Sequence, residues 1–264
     1  MAEISYHGVS FTLSDKRDQP SFFVLGVRKS GSSLLNKMVR PLAVRQQLNY
    51  IDIPRHMFEA GKEIKVWRDD PSLAILISGG NVYGGFRNAP LSVFANPAFQ
   101  VCRKVLLVRD PRDALVSEYF SNAYSHNLPK EEAARERFLQ MRRDALEATV
   151  DAYVRKQAPF MAKTLMEYVP LMSDPLTKLY RYEDIITQKR SMLESISAHF
   201  GWPTHSRHLD NILRGADVFP TAEKPTEFIR RVTPGDHREK LSAETIAHLD
   251  EVLAKPAGIY GYAN

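Results

Sequence analysis

The run Phe22-Phe23-Val24-Leu25-Gly26 constrains this chain more than any other stretch. Consecutive large apolar residues without polar alternation predict a strand buried on both faces, as in a parallel sheet. Strands of that kind need crossover helices packed on the sheet. The adjoining segment is small, polar and basic: Val27-Arg28-Lys29-Ser30-Gly31-Ser32-Ser33. Ser32 to Gln47 then carries helical periodicity, opened by hydroxyl residues of the type that cap helices. Strand, short loop and helix start, in that order, aim backbone N–H groups and the positive end of a helix dipole at one point. That arrangement binds anions.

The same pattern recurs downstream. Val105 to Val108 predicts a second buried strand, followed by Arg109-Asp110-Pro111 and a helix from Pro111 to about Ala123. Pro111 suits a first helical turn, where its missing N–H costs nothing. Leu176 to Tyr180 predicts a third strand. Lys130 to Arg143, Asp144 to Tyr168 and Thr187 to Phe200 read as helices, the last stopped by Gly201-Trp202-Pro203. Ser242 to Leu253 reads as a final helix with Ser242 as N-cap and Thr245 at the third position. Alternating apolar residues from Ile4 to Leu13, around His7-Gly8, predict a small hairpin or edge strand. No repeat or low-complexity tract is present. The fold class expected is α/β, a P-loop-type parallel β-sheet flanked by helices. It forms a single domain over residues 1–264, with its core at about 20–254. A chain of 264 residues that is 44% hydrophobic can bury such a core.

Charge narrows the partners. The net charge of +5 favours polyanions, among them nucleic acid, acidic membrane and phosphorylated nucleotides. Cys102 is the single cysteine, so no internal disulfide forms and a reducing compartment is expected. It precedes the apolar run at Val105, which predicts a buried, inert thiol. Met1 to Thr12 lacks a basic start followed by an apolar stretch, and no run reaches the roughly 18 apolar residues of a membrane span. These features predict a cytoplasmic protein without a membrane span.

Gly26 and Gly31 have the spacing of the G-x-x-x-x-G-K-[ST] nucleotide loop, but Ser32 follows Gly31 and the lysine stands at position 29. A kinase or GTPase needs its lysine on the β/γ-phosphates and a Mg²⁺ held by a hydroxyl and a carboxylate. Here the loop offers an ammonium, hydroxyls and amides but no acidic neighbour, so no metal is expected. A sulfuryl group carries less charge than a phosphoryl group, and such donors suffice for its transfer. On these residues the sequence resembles the PAPS-dependent sulfotransferases (PAPS, 3′-phosphoadenosine 5′-phosphosulfate), whose first loop reads Lys-Ser-Gly-Thr-Thr. The resemblance implies PAPS as cofactor and its desulfated form PAP as product. It implies that Lys29 hydrogen-bonds the bridging oxygen of the leaving group. Arg28, Lys29, Ser30, Gly31, Ser32 and Ser33 would hold the 5′-phosphosulfate. Leu34 stands where many members carry a tryptophan that stacks on adenine.

Arg109 falls at the carboxyl end of a strand, where open α/β sheets bind ligands. Ser117 is eight residues on, about two helical turns. An arginine fork suits phosphate. Arg-Asp-Pro-Arg-Asp-Ala-Leu-Val-Ser resembles the family's second motif, which implies that Arg109 and Ser117 bind the 3′-phosphate. Tyr182, within Tyr180-Arg181-Tyr182-Glu183-Asp184, matches a tyrosine near the adenine. The stretch from Phe228 to His237 resembles the family's late loop, Phe-x-Arg-Lys-Gly followed by Gly-Asp-Trp. Arg230 matches its arginine, Arg231 replaces its lysine and Val232 its glycine, which implies a closure of Arg230 and Arg231 over the 3′-phosphate. The resemblance runs from about Phe22 to Leu253.

In-line attack on sulfur requires a proton acceptor for the acceptor hydroxyl. Many cytosolic relatives place a histidine about twenty residues before the second-motif arginine; here that stretch is Gly85-Phe86-Arg87-Asn88. Other branches use a carboxylate a little over twenty residues after the loop lysine, which selects Asp52. His56 comes next and His126 third. Trp67, Tyr83, Phe86 and Phe94 lie between the two motifs, where the family builds its acceptor pocket, and divide between that pocket and the core. The predicted activity is sulfuryl transfer from PAPS to a hydroxyl or amine of a small-molecule or glycan acceptor, with no nucleic acid partner. Two other readings stand beside it. One is a P-loop small-molecule kinase, which the missing lysine after Gly31 opposes. The other is a noncatalytic nucleotide- or nucleic-acid-binding module, in which Lys29 and a base would have no use.

Overall fold

A computed structural model describes residues 1–262 except Phe219, Thr221, Ala222, Pro225 and Phe228. Phe228, the aromatic residue of the late-loop match, thus lies outside the described residues. Strands β1 (Ala2–Tyr6) and β2 (Val9–Leu13) form the expected hairpin, a separate two-stranded antiparallel sheet turned at His7 and Gly8, both at positive φ. The main sheet contains β3 (Phe22–Gly26), β4 (Asn49–Asp52), β5 (Asn81–Gly84), β6 (Arg103–Val108) and β7 (Thr177–Arg181). All its pairings are parallel and the order is β4-β5-β3-β6-β7. Five strands stand where three were expected. The two additions, β4 and β5, are four residues each.

Parallel pairing places every carboxyl end on one edge. From β3 the chain passes through α1 (Ser32–Arg45) to β4 on one side of the sheet, whereas from β6 it proceeds to β7 on the other. The junction of β3 and β6 is therefore the topological switch point, where doubly wound sheets open a crevice. The loop after β3 and the turn after β6 both project there.

Two apolar layers fix this frame. On one face Val24, Val105 and Leu107 pack against Leu35, Met38, Val39 and Leu42 of α1 and Leu193 and Ile196 of α6 (Lys189–Phe200). On the other, Phe23, Leu25, Leu106 and Val108 meet α3 (Pro111–Phe120), α5 (Val150–Tyr168) and α9 (Ala243–Ile259) through Leu115, Val154, Met161 and Leu249. Each of these side chains is almost wholly buried and contributes about 2 kcal/mol. Further helices are α2 (Ile53–Glu59), α4 (Glu132–Glu147), α7 (Ser206–Ala216) and α8 (Asp236–Lys240).

Several boundaries differ from expectation. The helix after Arg109 was expected to run to about Ala123, but α3 ends at Phe120 and continues as a π turn, Ser121–Ser125. The break between α4 and α5 falls at Thr149, which caps α5 by accepting from the Ala152 amide, rather than at Arg143–Asp144. Gly201 at φ 72 closes α6, and Ser242 caps α9 at the Thr245 amide, both as expected. Trp67, Tyr83, Phe86 and Phe94 all belong to the buried core. Cys102 is buried, its thiol donating to the Ala98 carbonyl at 2.9 Å, and burial pushes its pKa up. Among the described residues no helix is long and apolar enough to cross a membrane.

Candidate active site

Backbone hydrogen bonds stitch the loop after β3 to both neighbouring strands. The Gly26 amide donates to the Phe86 carbonyl, the Arg28 amide to Arg87 and the Val27 amide to Leu107, at 3.0–3.2 Å. The Ser30 hydroxyl and amide both donate to the Val27 carbonyl, so this fully buried serine shapes the loop. Lys29 adopts φ 63 and Gly31 φ 91. A Cβ on Gly31 would come within 3.0 Å of the Tyr182 ring, so the position needs glycine for space as well as for φ. Gly31 is the N-cap of α1 and supplies no side-chain cap, and the first turn carries no acid. The first amides of α1 therefore lack the usual cap acceptor and point into the crevice.

Lys29 is half-buried. Burial pulls its pKa down to about 8, the Arg109, Arg87 and Arg230 charges add to the fall, and Glu118 opposes it. Arg28 pairs with Glu118 at 3.2 Å. Arg87 donates to the Ser33 hydroxyl at 3.2 Å and to the Gly85 carbonyl at 3.2 Å. Arg109, at the end of β6, is 7% exposed and stacks on Tyr182 at 4.5 Å. Its nearest carboxylate, Asp113, stands at 3.8 Å, and its buried Nε has no hydrogen-bond partner among the described residues. Ser117 sits half-buried on α3, two turns beyond. The cations of the first loop and of the second motif thus follow the carboxyl ends of adjacent parallel strands, β3 and β6.

Asp113 ties the late loop to α3. Its carboxylate accepts from the Gly235 amide at 2.7 Å, the His237 amide at 3.0 Å and His237 Nδ1 at 2.6 Å. Burial opposes its charge, but these donors and Arg109 outweigh it and hold its pKa at about 2. The Tyr182 hydroxyl donates to the Val232 carbonyl at 3.0 Å, a second tie to the same loop. Arg230 is buried, lies 4.1 Å from the Phe120 ring centre and pairs with Glu223 and Asp236. Its charge is one of those that depress the Lys29 pKa. Arg231 instead pairs with Glu239 at 2.7 Å and Asp236 at 3.3 Å, along α8, and Glu239 raises its pKa.

The three candidate proton acceptors are spread. Asp52 closes β4 on the carboxyl edge and caps α2, its Oδ1 accepting from the Arg55 amide at 3.0 Å. Gly85 passes so close that a Cβ there would sit 1.8 Å from Oδ1. His56, on α2, packs against Phe11 at 5.3 Å, beside the N-terminal hairpin. His126 follows the π turn and packs on Phe138 at 5.1 Å, with Nδ1 2.9 Å from the Asn127 carbonyl. Burial and the nearby Lys29 and Arg87 charges lower its pKa.

Two residues of the crevice carried no assignment from the sequence. Arg87 becomes visible only once β5 is recognised, because it then follows a carboxyl strand end. Glu118, beside Ser117, reads as an ordinary helical glutamate until its burial is known.

Comparison with known proteins agrees with this fold. A family model described as a sulfotransferase domain matches residues 19–260. No curated protein matches the chain. Among solved structures, mouse sulfotransferase SULT7A1 complexed with PAP is similar at 15% identity and a TM-score of 0.61, covering 99% of each chain. Retinol dehydratase in complex with androsterone and PAP is similar at 15% identity and a TM-score of 0.52, covering 91% of this chain and 82% of that one. A complex of retinol dehydratase with retinol and PAP gives 14% identity and a TM-score of 0.53, with 90% and 82% covered. At these identities the likeness is one of fold.

Proposed function

The chain belongs to the sulfotransferase domain family, and on that premise we propose that it moves the sulfuryl group of PAPS to a hydroxyl or amine of a small-molecule or glycan acceptor, within one domain over residues 1–264. One observation carries the cofactor assignment: Lys29 and Arg109, from separate stretches, follow the carboxyl ends of the adjacent parallel strands β3 and β6, and the buried Arg109 Nε lacks a partner among the described residues. An unmet buried guanidinium nitrogen, uncapped helix amides and a loop free of acids fit a nucleotide with anionic groups at two positions. PAPS, when bound, supplies the activated sulfuryl group and leaves as PAP.

The chain's own residues divide the work. Lys29 holds a proton at Nζ at neutral pH, since its pKa is about 8, and offers it to charge growing on the leaving oxygen. The amides of Gly31 to Ser33 and the Ser32 and Ser33 hydroxyls bind the 5′ end, with Arg28 and Arg87 beside them. Arg109 and Ser117 take the 3′-phosphate, Tyr182 orients Arg109 and borders the base, and Arg230 closes from the late loop. Arg231 acts on that closure through Asp236 and Glu239. Asp52 accepts the acceptor's proton, as its place on the carboxyl edge permits. A second reading gives that role to His126: Nδ1–H donating to Asn127 leaves the Nε2 lone pair free, and Lys29 lies within its electrostatic reach. No metal takes part. The single buried thiol, Cys102, suits the reducing cytoplasm.

Incubation with radiolabelled PAPS, an acceptor panel and EDTA tests the activity. Label on an acceptor supports it. Binding of ATP with Mg²⁺ in preference to PAP supports the kinase instead, and salt-sensitive DNA binding without PAP binding supports the noncatalytic module. Asp52→Asn and His126→Gln, assayed in parallel, decide the base.

A further inference from the structure

Glu118 follows Ser117 on α3, yet it is only 8% exposed and turns beneath the first loop. Its Oε1 stands 3.2 Å from Arg28 Nη1. Buried ion pairs are stable only when their remaining lone pairs and protons are also met. Here they are met only in part. Arg28 Nε and Nη2 are buried without a hydrogen-bond partner among the described residues. The Tyr153 hydroxyl of α5 accepts from Asn122 Nδ2 at 2.6 Å, which leaves its own proton to donate to the Glu118 carboxylate. As a device for stability the pair is poor, because apolar residues of like volume often do as well or better.

Its surroundings indicate another use. Three of the charges acting on Lys29, those of Arg109, Arg87 and Arg230, are positive, and Glu118 is the carboxylate that opposes them. Oε2 is shut off from solvent, so an acceptor does not reach it and it is not the catalytic base. We infer that Glu118 is a positioning residue: paired with Arg28, it anchors the phosphosulfate loop from below and keeps the Lys29 ammonium charged among its cationic neighbours. This rests on the sulfuryl-transfer reading above.

Calorimetric titration with PAP from pH 7 to 10, where the phosphates are largely dianionic, tests it without recourse to turnover. The groups that bear on the outcome are Arg28, Lys29 and Tyr153 around Glu118, and Arg87, Arg109 and Arg230 around Lys29. In the wild type, PAP affinity declines as pH rises through the Lys29 pKa. Glu118→Gln removes the opposing charge, so the decline is expected about one pH unit lower, or about fivefold weaker binding near pH 8 and about tenfold near pH 10. Glu118→Asp keeps a carboxylate and should restore the wild-type midpoint. The double variant Arg28→Met, Glu118→Met guards against misfolding: its melting temperature should equal or exceed the wild-type value while its midpoint stays low. A wild-type midpoint in folded Glu118→Gln, or in the double variant, overturns the inference. Failure of the wild-type chain to bind PAP at all overturns the sulfuryl-transfer reading and this inference with it.

Discussion

Lys104 and Lys29 stand at opposite edges of the same sheet. Lys104, near the start of β6, is fully buried, and its ammonium donates to the Gln100 and Cys102 carbonyls and the Asp174 carboxylate at 2.7–3.3 Å, 4.7 Å from the Phe99 ring centre. Every proton has an acceptor. Lys29 sits beyond the end of β3, at positive φ, with arginine charges around it and its pKa pulled to about 8. The first lysine closes the structure on itself. The second is held in readiness for an anion. Completeness of solvation by the protein separates a structural cation from a functional one.

Breaking the first member gives the largest expected effect. Lys104→Ala leaves Asp174 without its cation and should cost about 3–5 kcal/mol in denaturant unfolding, while the folded fraction keeps its turnover. Lys29→Ala reverses the pattern: transfer should fall about 10²–10³-fold, as for loss of an oxyanion-type donor, with melting temperature essentially unchanged. If Lys29→Ala destabilised the fold as much as Lys104→Ala does, the contrast would fail.

The contrast also bears on what the sequence discloses. β3 and β6 were legible because their apolar runs are continuous, and the glycine and arginine that end them mark the switch point. β4 and β5 were not: Asn-Tyr-Ile-Asp and Asn-Val-Tyr-Gly are four residues long and flanked by turn-forming types, so they read as loop. Neighbouring strands, not local preference, make them strands. Arg87 was hidden for that reason. Lys29 and Arg109 stood out because each follows an apolar strand, and their roles were implied by the resemblance of both motifs to the sulfotransferases. The pairing of Arg231 with Glu239 was not, since two adjacent arginines look alike until the fold directs one toward Phe120 and the other along α8. The core fate of Tyr83 and Phe86 follows equally from strand β5, which sequence periodicity did not reveal.

Smaller effects sharpen the comparison. Arg109→Ala should weaken PAP binding by about 2–3 kcal/mol by calorimetry, the worth of a charge-assisted contact. Asp113→Asn should cost about 2 kcal/mol of stability at neutral pH, because the folded pKa of about 2 lies below the unfolded 3.8. That stabilisation is present above the unfolded value and is lost as pH falls through the folded one. The two unfolding curves should therefore converge near pH 2. A constant gap across the acid range would place the effect elsewhere than in the Asp113 charge.

The central claim is that Lys29 and Arg109 grip two anionic groups of one nucleotide. Calorimetry with PAP and with AMP, which lacks the 3′-phosphate, tests it most directly. The account predicts roughly 100-fold tighter binding of PAP by the wild type, a difference largely abolished in Arg109→Ala. Equal affinity for the two nucleotides in the wild type, or a preference that survives in Arg109→Ala, would contradict it.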